Sequence, residues 1–186
     1  MKKLLMAAVI AAMCFAFAAC GEGSGDVEED DYHYLVEDIE PGTDIGSFES
    51  TDLDGNAVTD AVFADKDVTV LNVWATYCGP CKEEMPELGE WAAELPDNAQ
   101  IIGVLTDVPE GDADMIKTAR AICADTGVSY TNIVLSDSVD KMLADVEAVP
   151  TTFILDSEGK TICPPIIGAD VDYYKEVVSD YLDQLN

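Results

Sequence analysis

Beyond Ile45 the chain alternates short apolar runs with turn residues, and each run has the length of one element. Phe48 to Leu53 and Ala57 to Phe63 flank Asp54-Gly55-Asn56, which predicts a hairpin. Val68 to Trp74 is a β-branched apolar run, the pattern of a buried strand. A helix is expected from Cys78 to about Leu95, bent at Pro86 because proline supplies no N–H. Ile101 to Leu105 reads as a strand, and Ala113 to Thr126 as a helix ended by Gly127. A strand at Thr131–Leu135, a helix from Ser138 to about Val146 and a strand at Thr151–Leu155 follow. The turn Asp156-Ser157-Glu158-Gly159 leads to a last strand near Thr161–Ile167 and a helix from Asp170 to Leu185. Strands interleaved with helices predict an α/β domain, and the closing hairpin makes its central sheet mixed.

The N-terminal pattern is different. Lys2 and Lys3 precede an uncharged apolar run from Leu4 to Ala19, which is shorter than the ~20 residues of a membrane-spanning helix and has the character of an export signal. Phe17-Ala18-Ala19-Cys20-Gly21 resembles a bacterial lipobox, with Phe17 where Leu is usual. That resemblance implies a signal peptide over 1–19, acylation of Cys20, and a lipid-anchored protein on the extracytoplasmic face of a bacterial membrane. The acidic, Gly- and Ser-containing stretch that follows is too polar to pack, so residues 20–45 are expected to be the lipidated cysteine and a flexible tether, and 46–186 the folded domain. His33, the one histidine, has no metal-ligand companion at suitable spacing, and no metal site is expected.

At 186 residues and 48% hydrophobic content, the chain can bury one core and is short for two. Its formal charge of -29, which loses Lys2 and Lys3 with the signal, repels nucleic acid and anionic lipid. Nucleic-acid binding is therefore excluded. Of the six cysteines, Cys14 leaves with the signal and Cys20 is assigned to lipid; Cys78, Cys81, Cys123 and Cys163 remain, in a compartment that permits disulfides.

The chemistry lies in Trp74-Ala75-Thr76-Tyr77-Cys78-Gly79-Pro80-Cys81, where a predicted strand meets a predicted helix. A cysteine at a helix N-terminus faces unpaired N–H groups and the positive end of the dipole, which favour thiolate and make Cys78 the candidate nucleophile. Cys81, within one helical turn, is the candidate resolving thiol. Half of a zinc site is the alternative for such a pair, but two further ligands at comparable spacing are missing.

These residues, together with Asn72-Val73-Trp74-Ala75-Thr76, Cys81-Lys82-Glu83-Glu84-Met85-Pro86 and Val149-Pro150-Thr151-Thr152-Phe153, resemble the exported TlpA and ResA branch of the thioredoxin superfamily from about Gly46 to Leu185. The resemblance implies a thioredoxin fold with an N-terminal β-hairpin extension and a central α/β insertion, a thiol-disulfide oxidoreductase activity, and no cofactor beyond a Cys78–Cys81 disulfide. It implies a cis bond at Val149-Pro150 and a substrate surface drawn from Trp74, Tyr77, Gly79, Pro80, Val149, Pro150 and Thr151. Glu84 becomes the candidate proton acceptor, and Asn72 stands where cytoplasmic relatives carry a buried Asp. Tyr77 replaces the Trp common before the first cysteine. The family's strand order sets Cys123 and Cys163 toward opposite sheet edges, too far apart for a disulfide's Cα separation of roughly 4.4–6.8 Å, so buried free thiols are expected.

For partners, the resemblance implies disulfide-containing exported proteins such as apocytochrome c or a methionine sulfoxide reductase, a membrane electron donor of the CcdA type, and a monomer. Gly79-Pro80 between the cysteines inclines the expectation toward a reductase; an oxidant or isomerase is the alternative. A thiol peroxidase shares the core, yet no Pro-x-x-x-Thr/Ser-x-x-Cys motif precedes Cys78. A surface module that docks a basic partner and carries a static disulfide is the non-enzymatic reading.

Overall fold

The computed structural model describes residues 34–36 and 39–185, which fall within a single compact unit. The signal peptide, Cys20, His33 and the first part of the tether lie outside the described residues. Among the described residues no helix is long and apolar enough to cross a membrane.

Among the described residues, eight strands and four helices follow one another as β1 (Tyr34–Leu35), β2 (Glu49–Thr51), β3 (Ala57–Thr59), β4 (Val68–Trp74), α1 (Gly79–Glu94), β5 (Ala99–Pro109), α2 (Ala113–Thr126), β6 (Asn132–Leu135), α3 (Asp137–Met142), β7 (Thr151–Asp156), β8 (Ile166–Ile167) and α4 (Val171–Leu185). The main sheet runs β1-β8-β7-β4-β5-β6, and β2 pairs only with β3. β4 lies parallel to β5 and antiparallel to β7, so the sheet is mixed, as expected. Every residue of β4 is buried, because helices and loops cover both its faces.

Alternation along β4 divides the core. Val68 and Val70 pack with Leu88, Trp91, Tyr174 and Val178 beneath α1 and α4. Leu71 and Val73 face the other way, toward Phe48, Phe63, Val139 and Phe153. Asn72, on the α1 side, is consequently a polar residue set into an apolar layer.

Four expectations are corrected. The second hairpin arm stops at Thr59, whose hydroxyl accepts Ala61 N–H and opens a 3-10 turn over Asp60–Asp65. The helix expected to reach Val146 ends at Met142, and turns carry the chain to Pro150. The last strand shrinks from Thr161–Ile167 to Ile166–Ile167, since Pro164 and Pro165 have no N–H for a ladder; Thr161 keeps one isolated bridge to Leu155. Residues assigned to the tether join the sheet instead: Tyr34–Leu35 pairs with Ile166–Ile167, and Asp44 bridges Lys160.

β5 extends over Ala99–Pro109, well beyond the expected Ile101–Leu105, while β4 and α2 match the pattern. α2 spans the expected Ala113–Thr126, with Asp112 accepting Met115 N–H at its start and Gly127 at φ 76° after its end. The hairpin turn is fixed by Asp52, whose carboxylate accepts Asp54 N–H and Asn56 N–H at 2.8 Å each. Leu53 N–H donates to Asn132 O and Ser50 Oγ to Val134 O, which tie the hairpin to β6.

Candidate active site

α1 begins directly after the β4 strand-end loop, and Cys78 is its N-cap. Cys78 Sγ accepts Cys81 N–H at 3.1 Å, and Pro80 sits in the first turn, where its missing N–H costs nothing. Cys78 and Cys81 are joined in a disulfide with Cα atoms 5.4 Å apart. Cys78 is 6% exposed and Cys81 fully buried, so an approaching reactant meets Cys78 first. A thiolate on Cys78 would retain the Cys81 N–H and the helix dipole as its stabilising partners.

The Val149-Pro150 bond is cis, and Val149 O lies 3.5 Å from Cys78 Sγ. Pro150 is itself buried; its carbonyl accepts Gly168 N–H at 3.0 Å, and Thr151 Oγ1 donates to Ala148 O at 2.8 Å. This loop is thus held from both sides while Val149 stays half-exposed beside the sulfur. Tyr77, Gly79 and Pro80 form the exposed rim on the other side of Cys78, with Tyr77 the most exposed large side chain there.

One turn after Cys81, Glu84 is buried, unlike its solvent-facing neighbours Glu83 and Glu87. Its Oε1 accepts Asn72 Nδ2–H at 2.8 Å, and its Oε2 lies 3.3 Å from Tyr174 Oη. Burial pushes the carboxyl up to about 7; the hydrogen bonds from Asn72 and Tyr174 oppose this and the charge of Glu87 adds to it. Asn72 gives its second amide hydrogen to Thr152 Oγ1 at 3.1 Å, while its own Oδ1 has no partner among the described residues. A carboxyl poised near neutrality, one helical turn from the inner sulfur, can take up or give back a proton there.

Two supports were not legible beforehand. Asp107, near the end of β5, accepts Thr76 N–H at 3.1 and 3.0 Å and Thr76 Oγ1–H at 2.5 Å, which pins the loop leading into Cys78. Trp74 Nε1–H donates to Asn132 Oδ1 at 2.9 Å, and a Cβ on Gly103 would lie 2.0 Å from that oxygen, so β5 needs glycine at this point. An acid at a strand end beside the cysteine-bearing strand was the one available signal for Asp107. Gly103 inside an apolar strand was the signal for the close approach.

Of the residues expected to touch a partner, Tyr77, Gly79, Pro80 and Val149 reach the surface around Cys78. Trp74 does not: it is completely buried, and its indole braces β4 against β6. Thr151 is also buried, with its hydroxyl turned back to the cis-proline loop. Cys123 and Cys163 are free thiols, Cys123 buried as expected and Cys163 only half-buried, and desolvation pushes each up to about 11. Among the described residues no group of three His, Cys, Asp or Glu side chains could hold a metal ion.

Comparisons with known proteins bear on the family and the fold. Residues 41–162 match the AhpC/TSA family. The thiol-disulfide oxidoreductase ResA of Bacillus thuringiensis subsp. konkukian is 29% identical over 159 residues, 83% of each chain. The thiol:disulfide interchange protein HelX of Rhodobacter capsulatus is 33% identical over 107 residues, 56% of this chain and 54% of that one. Among solved structures, the thioredoxin domain of a thiol-disulfide oxidoreductase from Bacteroides vulgatus superposes with a TM-score of 0.63 at 23% identity, over 76% of this chain and 97% of that one. A thiol:disulfide interchange protein DsbE from Chlorobium tepidum gives 0.63 at 22%, over 80% and 99%. These last two establish the thioredoxin-like fold. The chain therefore belongs to the AhpC/TSA family, and within it to the thioredoxin-like thiol-disulfide oxidoreductases.

Proposed function

We propose that this enzyme reduces disulfides of exported client proteins at the extracytoplasmic face of a bacterial membrane, where lipid on Cys20 holds it. The observation that carries the reading is the Cys78–Cys81 pair at the start of α1, with the carbonyl of Val149, in cis linkage to Pro150, 3.5 Å from the outer sulfur. In the dithiol form, Cys78 thiolate attacks a client disulfide; a Cys78–client bond forms and one client sulfur leaves as thiolate. Cys81 then passes its proton to Glu84 and attacks Cys78 Sγ. The Cys78–Cys81 bond forms, the Cys78–client bond breaks, and the second client sulfur departs with the electron pair. Two electrons have moved to the client, whose thiolates take protons from water.

Val149, Tyr77, Gly79 and Pro80 supply the surface on which an extended client segment lies, with main-chain groups at Val149 doing the holding. Pro150 fixes that loop from below. A carboxyl near 7 suits Glu84 to its part, because it is partly ionised at the working pH and its affinity for a proton is correspondingly matched. Gly79-Pro80 supports the reducing direction, and the lipobox-like Cys20 supports the anchor. Apocytochrome c and a methionine sulfoxide reductase fit as clients, and a CcdA-type membrane carrier fits as the electron source.

Equilibration with glutathione tests the direction. A potential near the roughly −270 mV quoted for thioredoxin supports a reductase, and one near the roughly −120 mV of DsbA overturns it in favour of an oxidant. Cys81→Ser should accumulate client adducts at Cys78 in cells, and their identity names the client. Incorporation of labelled fatty acid, lost in Cys20→Ala, tests the anchor.

A further inference from the structure

Tyr174 Oη has more acceptors around it than it has protons. It lies 2.6 Å from Gly168 O and 3.3 Å from Glu84 Oε2, and it accepts Asp170 N–H at 3.2 Å. A phenol carries one hydrogen, so it cannot donate to both oxygens. The 2.6 Å contact is the donated bond in this geometry, and it leaves Glu84 as the partner that must bring its own proton. With Glu84 neutral, Glu84 can donate to Tyr174 Oη, which Asp170 N–H and the Thr152 hydroxyl also reach, and Tyr174 donates to Gly168 O. With Glu84 ionised, the charge-assisted bond to the carboxylate is the stronger of the two, and it draws the tyrosine hydrogen away from Gly168 O.

Gly168 is not an isolated acceptor. Its N–H donates to Pro150 O at 3.0 Å, directly behind the cis bond, and Gly168 stands at φ 103°, where glycine turns freely. Ile167, its neighbour, pairs with Thr151 on β7. A change at Gly168 O therefore acts on the peptide that holds Pro150, and through it on Val149.

We propose that Tyr174 is a positioning residue whose single hydroxyl proton alternates between Gly168 O and Glu84, so that the charge on Glu84 sets how firmly the Gly168–Pro150 segment is held beside Cys78. The proposal rests on the reading of Glu84 as the proton acceptor for Cys81. When the Cys81 proton reaches Glu84, Tyr174 returns its hydrogen to Gly168 O, and the client-holding loop is reset in the same step that breaks the client bond. The proton supplied by Cys81 is the one retained on Glu84, and no other donor is needed.

The polar surroundings of the pair come from every packed element: Asn72 of β4, Thr152 of β7, Tyr130 before β6, Glu87 of α1, and Asp170 at the start of α4. Lys175 pairs with Glu87 at the surface. Glu84 is the one among them pushed to about 7.

The test is an NMR titration of the oxidised full-length chain in detergent micelles, in which Cys78 and Cys81 carry no titrating proton. The Gly168 carbonyl carbon, the Gly168 and Val149 amides and the hydroxyl-bearing ring carbon of Tyr174 should all shift with the midpoint of the Glu84 carboxyl. In Tyr174→Phe the Glu84 carboxyl should still titrate while Gly168 and Val149 stay flat. In Glu84→Gln all four signals should stay flat. Gly168 and Val149 signals that still follow Glu84 in Tyr174→Phe, or that never titrate in the unaltered protein, overturn the proposal. If Tyr174→Phe does not fold, a Tyr174 ring carbon that ignores the Glu84 midpoint overturns it equally. The acceptor reading is tested apart, by the rate at which Glu84→Gln resolves a Cys78–glutathione disulfide; an unchanged rate removes that reading and leaves the titration result standing.

Discussion

Asn72 Nδ2 and Glu84 Oε1 lie 2.8 Å apart across the β4–α1 interface, which makes the charge of Glu84 depend on the side chain of a neighbouring strand. The amide hydrogen favours the carboxylate and so restrains the rise that burial imposes. Asn72→Leu removes that donor and should move the Glu84 midpoint above 7. Asn72→Asp should do more: two carboxyls at hydrogen-bond distance share one proton and titrate in two widely separated steps. Carboxyl-carbon NMR on each variant gives the midpoints; a downward shift in Asn72→Leu, or a single unsplit step in Asn72→Asp, would contradict the assignment of Asn72 as donor to Glu84.

Gly103 should tolerate no side chain. In Gly103→Ala the new methyl would sit 2.0 Å from Asn132 Oδ1 and 3.0 Å from Trp74 Nε1, both fully engaged with each other in the core. Overpacking costs typically 1–3 kcal/mol, and breaking a buried indole bond adds about 1–3 more, so a loss of roughly 3 kcal/mol is expected in urea unfolding. Asn132→Ser with Gly103→Ala makes room for the methyl and should recover part of it.

The catalytic strand and helix were legible because their signals are local. A β-branched run is followed after a short loop by a cysteine that caps a helix, and Val149-Pro150 announces itself as an X-Pro bond near the start of a strand. Tyr174 was not legible as a site residue, for it reaches Glu84 from 90 residues away and looks from sequence like an ordinary apolar position of α4. Trp74 misled in the opposite sense: the family resemblance implies a substrate contact, but strand alternation turns it inward with Asn72. The two-residue strands β1 and β8 fall below any periodic signal, so the sequence pattern puts Tyr34–Leu35 in the tether and makes Thr161–Ile167 one continuous strand.

Asp107 should govern the loop that delivers Cys78. Its carboxylate receives both the N–H and the hydroxyl of Thr76, and Asp107→Ala leaves those donors without it. A charge-assisted pair of this kind is worth about 2 kcal/mol, which is the expected loss of stability. Thr76→Val, which keeps the N–H bond and loses the hydroxyl one, should cost less than Asp107→Ala in the same unfolding assay.

Cys123 and Cys163 should be slow to react in the native state. Both thiols are pushed up to about 11 by burial, so at pH 8 their thiolate fraction is about two orders of magnitude below that of an ordinary cysteine. Alkylation followed by peptide mapping of the oxidised protein should leave both unmodified on a timescale that fully labels a free thiol. Denaturation should expose them together, as two thiols rather than a second disulfide. Cys123 is buried and Cys163 half-buried, so Cys163 should be the faster of the two, and rapid native labelling of Cys123 would contradict its burial.

The raised carboxyl of Glu84 makes stability fall as pH rises. Its ordinary value is 4.5 and its folded value about 7, so the folded protein holds this proton more tightly than the unfolded chain does. The stabilisation is complete below the unfolded value and is lost as pH climbs from 4.5 through 7, because the unfolded carboxyl ionises first and the buried one must follow. A shift of this size corresponds to roughly 3 kcal/mol between the two ends of the window. The many surface carboxylates add their own pH dependence, so the quantity to measure is the difference between the unaltered protein and Glu84→Gln. Glu84→Gln should be less stable than the parent at pH 4 relative to its standing at pH 8, by that same margin, since glutamine gains nothing from acid. Urea unfolding at five or six pH values across the window gives the curve, and parallel curves for the two proteins would mean that Glu84 titrates in the folded state as it does in water.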